Sequence, residues 1–332
     1  MTTPVTAKQS VLGLLALLFF GLFSLNAFAG VARVEVVPFS THTFSDAQFL
    51  TTDVGDEQTI AGVLRLPQKP ASDAKLPAVI LMHGSSGYGG YVDDWVQRLN
   101  AMGIATFVPD SVTGRGLVGG VGSRQAALGR LATVEDAYRS LEILAQDARI
   151  DPDRIALMGF SRGGQAALYA GMTRFQKLHL HGDGHFAAIV AFYPNCLYRY
   201  LQDEQMADIP IRIFHGEADD YNPFGVCQSY VERLQKAGVD AEITGYPDAY
   251  HVFDWPGQPE PAFEPEAQSA RACRIEETSP GVLTNLDTNA PFTYADDCVQ
   301  RGTTYGYNAA AATQVEQVVP AFFRQVLKLP EN

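Results

Sequence analysis

Short apolar runs recur along most of this chain, and few of them alternate with polar residues. Residues 78–82, 104–108, 154–158, 187–192, 211–214 and 241–246 each read as a short strand. Unbroken apolar runs of this kind fit parallel strands covered on both faces. Segments with helical spacing lie between them, at 95–102, 126–145 and 224–237, and another at 309–327 closes the chain. Strand and helix thus alternate in one series. That predicts a single α/β domain, doubly wound around a mostly parallel sheet with helices on both faces. Two stretches depart from the alternation. Residues 33–38, 44–50 and 59–66 read as opening antiparallel strands, followed by a polar, proline-containing linker at 67–76. Residues 253–308 are rich in Pro, Gly, Thr and acidic side chains, and predict little regular structure. A loop that long is either a lid over a site or a stapled surface excursion.

One run carries chemistry. Gly159-Phe160-Ser161-Arg162-Gly163 fits G-x-S-x-G. The strand at 154–158 precedes it, introduced by Asp151-Pro152-Asp153, and a helix start at 164–170 follows. Strand, glycine-flanked turn and helix make a nucleophile elbow, the hallmark of an α/β-hydrolase fold. The flanking glycines admit the sharp turn that a strained serine requires. Ser161 Oγ then stands at the carboxyl end of a parallel strand, above a helix N-terminus, where an oxyanion is stabilised.

A serine nucleophile needs a base, an orienting acid and oxyanion donors, in the chain order Ser, acid, His for this fold. Two histidines lie beyond the strand at 211–214, His215 and His251. His215 precedes every acid candidate, so the order selects His251, on the loop after the last sheet strand. Asp219 and Asp220 both sit in the loop after the strand at 211–214, where a carboxylate can reach a histidine. The unused aspartate would cap the helix that starts near Pro223. The oxyanion donors expected are the backbone N–H of Arg162 and that of Ser85, in the turn His83-Gly84-Ser85-Ser86-Gly87. His83 itself reads as a structural histidine beside the sheet. Arg115, in the glycine-containing loop after the strand at 104–108, either binds a substrate carboxylate through a bidentate pair or orders its own loop through carbonyl contacts.

Composition adds the setting. The 332 residues are 46% hydrophobic, ample for one large core, and carry a formal net charge of −13. No stretch is basic enough for nucleic acid, and the acidity argues against anionic membrane surfaces. Lys8, the apolar run at 11–23 and Ala27-Phe28-Ala29 read as a secretory signal peptide over residues 1–29, with an uncleaved anchor as the competing reading. Cleavage would leave no stable membrane anchor and a periplasmic or secreted chain, residues 30–332. Four cysteines in an exported chain suggest disulfides, with three possible pairings. Cys196–Cys227 would tie together the loops after two successive strands, and Cys273–Cys298 would staple the long excursion. No C-x-x-C spacing points to a metal.

Several of these motifs, taken together, resemble the dienelactone hydrolase family of α/β-hydrolases. They are the H-G-x-x-G turn at His83, the run D-P-x-R-I-x-x-x-G-x-S-x-G-G from Asp151 to Gly164, the acid loop His215-Gly216-Glu217-Ala218-Asp219, and the histidine loop from Tyr246 to Phe253. The resemblance spans about Thr59 to the final helix, and its spacing favours Asp219 over Asp220 as the acid. The family's namesake carries a cysteine at the elbow and a glutamate at the position of Gly84, and with the leader, the four cysteines and the 253–308 segment the chain resembles an exported, serine-dependent branch. The implied activity is hydrolysis of small-molecule carboxylic esters through a Ser161–His251–Asp219 triad and an acyl-enzyme, with no metal or organic cofactor. Two other readings keep the scaffold: a serine peptidase of prolyl-oligopeptidase type, against which stands the lack of an N-terminal gating domain, and a non-enzymatic binding protein, whose usual sign would be a broken triad.

Overall fold

In a computed structural model of the chain, the described residues are Met1, 30–68, 74–117 and 127–330. Apart from Met1, the predicted leader lies outside them, as does the first residue of the helix expected at 126–145. The elements in order are β1 (Val31–Thr43), α1 (Asp46–Phe49), β2 (Asp56–Pro67), β3 (Leu76–Met82), α2 (Gly90–Ala101), β4 (Ala105–Pro109), α3 (Ala132–Gln146), β5 (Ile150–Phe160), α4 (Arg162–Tyr169), α5 (Thr173–His179), β6 (Ile189–Phe192), β7 (Tyr198–Arg199), β8 (Ile211–Gly216), α6 (Phe224–Lys236), β9 (Ala241–Tyr246), β10 (Ala262–Ser269), β11 (Ile275–Ser279), β12 (Val282–Asn285), β13 (Ala290–Pro291), β14 (Gln300–Tyr305) and α7 (Ala309–Val326).

The main sheet runs β1-β2-β4-β3-β5-β6-β8-β9. β1, β2 and β4 pair antiparallel, and every pairing from β4 through β3 to β9 is parallel. The unbroken apolar runs are explained by this arrangement, because each central strand feeds two cores. On β3, Ala78, Ile80 and Met82 face one cluster while Val79 and Leu81 face the other. On β5, Ile155 and Leu157 part in the same way from Ala156, Met158 and Phe160. The first cluster takes Val134, Tyr138 and Leu141 of α3, Leu168 of α4 and Leu234 of α6, and the second takes Trp95 and Leu99 of α2 and Val319 and Phe323 of α7. Helices therefore cover both faces, as the α/β-hydrolase fold requires.

Two expectations fail. The run at 44–50 is not a strand. Ser45 N-caps α1, its side chain accepting from the Gln48 N–H while Gln48 reaches back to the Ser45 N–H. This capping box turns the chain into a single helical turn. Residues 253–308 are not structureless either. They hold β10 to β14, of which β10 pairs with β14, and β11 to β13 form a small sheet that adds β7 as its outer strand. Both disulfides form as expected, Cys196–Cys227 and Cys273–Cys298, and no cysteine is free among the described residues. No described helix is long and apolar enough to cross a membrane.

Candidate active site

Ser161 follows β5 with φ 53° and ψ −113°, a conformation that costs an L-residue energy. The glycines around it make the turn possible. A Cβ on Gly159 would lie 2.0 Å from the Gly163 carbonyl oxygen, and one on Gly163 2.0 Å from that of Met82. The Ser161 N–H donates to the Phe192 carbonyl at 3.0 Å, which fixes the elbow to the end of β6.

The sheet order brings Asp219 and His251 to Ser161. β8 and β9 follow β6 in the parallel series, so the loops after all three open at the same edge. His251 Nε2 lies 2.9 Å from Ser161 Oγ, and its Nδ1 lies 2.8 Å from Asp219 Oδ2. The other carboxylate oxygen of Asp219 accepts the N–H groups of Tyr221 and Asn222, both at 2.9 Å. Burial opposes charge on this fully enclosed carboxyl. His251, His215 and the Asn222 amide outweigh it and hold Asp219 below the usual carboxylate range. Asp220 points elsewhere. It accepts from Thr304 N–H at 2.7 Å and from Thr304 Oγ1 at 3.1 Å, so it ties β14 to the loop after β8 and does not cap α6. Pro223 occupies that cap, with no side-chain bond.

Of the two amides expected to receive an oxyanion, that of Arg162 is the first of α4 and has no partner within the helix. Ser85 lines the same cavity as Ser161. The preceding amide, of Gly84, is taken by the Tyr91 hydroxyl at 2.7 Å. A side chain at Gly84 would meet the Phe160 carbonyl at 3.3 Å and Ser161 Cβ at 3.5 Å, so glycine keeps this turn close to Ser161.

Arg115 does not line the cavity. Its guanidinium is buried and grips Asp136 through two bonds of 2.8 Å, while also donating to the carbonyls of Ser111 and His42 and to Thr43 Oγ1. Every nitrogen is engaged in the fold, which leaves no fork for a substrate carboxylate and corrects the substrate-binding expectation. His83 is structural, as expected: its Nδ1 lies 2.8 Å from the Gly84 carbonyl, and Nε2 accepts from the Ser111 N–H.

Burial lowers the pKa of both His83 and His215 below the usual histidine value, more than neighbouring carbonyls and carboxylates raise it. The unfolded chain therefore takes up these protons first. The stability that the neutral rings confer is complete above about pH 6.5 and declines as the pH falls from there towards their lowered values. The stability difference between the wild type and His83→Gln, read from urea denaturation, is expected to shift steadily against the wild type from about pH 7 to about pH 5. A difference that stays constant over that range would refute the neutral-histidine account.

The cavity on Ser161 has a volume of about 500 Å³. Aromatic residues dominate its wall: Tyr91, Phe160, Tyr193, Tyr221, Trp255 and Tyr305. Glu264, Glu266 and Gln268 of β10 complete it. The excursion is thus a fixed wall of the cavity, held by Asp220, by Arg271 donating to the Asp220 carbonyl at 2.6 Å, and by a parallel bridge between His251 and Tyr305. Sequence reading missed these wall residues, because nothing near Glu264 or Tyr305 marks them as neighbours of a serine far earlier in the chain. A larger open groove of about 810 Å³, lined by 199–209, 237–240 and 276–277, contains none of the triad. Among the described residues no cluster of His, Cys, Asp or Glu could hold a metal ion.

Comparison with known proteins agrees with this architecture. The chain matches the family model for the dienelactone hydrolase family over residues 60–327. No curated protein matches it. Among solved structures it is similar to one named m3DLH, at 17% identity and TM-score 0.58, covering 88% of this chain and 98% of that one. A dienelactone hydrolase-like promiscuous phosphotriesterase from metagenomic libraries gives 15% identity and TM-score 0.52, over 88% and 98%. Esterase 2 of Thermogutta terrifontis, phosphoramylated by tabun, gives 18% and 0.51, over 82% and 92%. At these identities the likeness shows the fold alone. The family match covers most of the chain, its members act on small-molecule esters, and this hydrolase belongs to the dienelactone hydrolase family.

Proposed function

We propose that the chain is an exported serine hydrolase of carboxylic esters, working through an acyl-enzyme. The observation that carries the reading is the chain of contacts Asp219–His251–Ser161, at 2.8 and 2.9 Å, opening onto the cavity. Ser161 Oγ attacks the ester carbonyl while His251 Nε2 takes its proton. Asp219 holds the Nδ1–H tautomer and balances the imidazolium that forms. The amides of Ser85 and Arg162 receive the oxyanion. His251 passes the proton to the leaving alcohol, and a water deprotonated by the same nitrogen releases the acid. None of these steps calls for a metal or an organic cofactor.

A fluorophosphonate probe followed by peptide mass mapping tests the nucleophile and its activation together. The label is expected on Ser161, and a label elsewhere would overturn the assignment. The two aspartates separate in a second experiment. Asp219→Asn is expected to lower kcat by about 10³- to 10⁴-fold, through loss of the correct histidine tautomer. Asp220→Asn, which disturbs only the tie to β14, is expected to cost much less. The reverse order would move the acid to Asp220.

Export rests on the Ala27-Phe28-Ala29 site and on two closed disulfides. N-terminal sequencing of chain recovered outside the cytoplasm is expected to begin at Gly30. A start at Met1, or four titratable thiols in denaturant, would contradict it.

A further inference from the structure

Asp254 lies three residues beyond His251 and is 7% exposed. Both carboxylate oxygens are engaged by neutral donors: Oδ2 accepts from Trp95 Nε1 and Oδ1 from the Tyr193 hydroxyl, each at 2.9 Å. No cationic side chain among the described residues forms an ion pair with it. A buried carboxylate without a counter-ion costs several kcal/mol, and an apolar side chain would fill the site more cheaply. Burial raises its pKa, and the Trp95 and Tyr193 bonds, with the field of His251, offset part of that rise.

What Asp254 holds is the surroundings of the base. Tyr193 directly follows β6 at φ 36°, and its ring sits 4.7 Å from the His251 ring, inclined at 61°. The Tyr193 carbonyl accepts from Asn222 Nδ2 at 3.0 Å, in the acid loop. Trp95 belongs to α2 and packs on Phe192 at 5.3 Å. Asp254 therefore joins the histidine loop to α2 and to the end of β6, across 159 and 61 residues of sequence. That loop is itself under strain, with Asp248 and Val252 both at φ 56°.

We propose that Asp254 is a positioning residue for His251, acting through the Tyr193 ring. The inference rests on His251 being the base. The polar and titratable groups around His251 are Asp219 and Ser161 at hydrogen-bond distance, the rings of Tyr193, Tyr221 (5.0 Å) and Tyr305 (5.9 Å), and His215 beyond Asp219. The carboxylates of Glu264 and Glu266 line the same cavity as His251, the field of Asp254 couples to that of His251, and Trp95, Tyr193 and Tyr91 are polar groups that face Asp254.

The test uses Tyr193→Phe and Asp254→Asn in the full-length mature protein, with p-nitrophenyl acetate as substrate. Tyr193→Phe deletes one hydroxyl and leaves the ring packed among Phe160 and Phe253. Both variants are expected to lose about 10- to 100-fold in kcat, the scale of a small displacement of a catalytic group. KM is expected to change by less than about twofold in each, because Asp254 does not line the cavity and Tyr193→Phe keeps the ring that does. Asp254→Asn is also expected to move the acid limb of the kcat/KM profile to lower pH by about half a unit or more, since removing a negative charge disfavours the imidazolium. A purely structural aspartate would leave that limb in place. Folded variants with wild-type kcat and an unmoved limb would overturn the proposal, and should Asp254→Asn fail to fold, Tyr193→Phe decides alone. A His251→Gln control that retained activity would instead refute the assignment of the base.

Discussion

Ester hydrolysis by the Ser161→Ala variant is expected to fall by about six orders of magnitude in kcat, with the fold unchanged. The removed oxygen is the atom that His251 Nε2 faces at 2.9 Å, and no second hydroxyl occupies that position in the contacts of His251. Stability is expected to hold, because the elbow is fixed by backbone: the Ser161 N–H on the Phe192 carbonyl and the Gln165 N–H on the Ser161 carbonyl at 2.8 Å. Alanine accepts the same strained φ at about the same cost. The residual rate would come from binding and the oxyanion amides alone. A variant retaining more than roughly a tenth of the wild-type rate would disprove the nucleophile.

The largest expected loss of stability comes from Arg115→Met. The pair with Asp136 is 2% and 0% exposed and joined at two points, and Asp136 also accepts from Thr41 Oγ1 at 2.7 Å. The arginine thus clamps β1, the loop after β4 and α3 together. Removing it leaves a buried carboxylate with Thr41 as its one remaining side-chain donor among the described residues, a change worth about 3–5 kcal/mol. Urea denaturation is expected to show a lower midpoint with an unchanged slope. In the fraction that stays folded, KM for esters is expected to be that of the wild type. An arginine that bound substrate would do the opposite, raising KM at constant stability.

The contrast between Ser161 and Arg115 shows which parts of the molecule are legible in sequence. Ser161 is defined by its own neighbours, because glycines that clear the elbow must sit at fixed offsets from it. Asp219 and His251 follow from chain order once the strands are placed, and the strands are visible because both faces are buried. Arg115 is different. Its partner lies 21 residues away on another element, and an arginine in a glycine-containing loop looks the same whether it faces a ligand or an aspartate. Ser45 and Gln48 do carry a capping-box signal, but the buried Phe44, Phe49 and Leu50 beside them imitate a strand.

The excursion was illegible for a physical reason. β10 carries Glu264, Pro265 and Glu266 where a half-buried strand would alternate, and most of it is exposed. Its order comes from distant groups: the Cys273–Cys298 bond, and Glu277, which is buried and takes both forks of Arg174 from α5 at 2.5 and 2.7 Å. The Trp95–Asp254–Tyr193 contacts are of the same long-range kind and leave no local pattern.

The bridge from His251 to Tyr305 bears on how the protein is made. A chain extending only to about residue 295 would already contain Ser161, Asp219 and His251, and all strands of the main sheet. It would lack the strand against which the His251 backbone is aligned, the Gly306 N–H that donates to the His251 carbonyl, and the Thr304 that Asp220 grips. It would also lack Cys298 and α7, which covers one face of the sheet. The contacts that align His251 therefore form only after the segment from Cys298 through α7 has been synthesised and folded back. A nascent chain that ends before β14 would carry Ser161 without the strand that aligns His251.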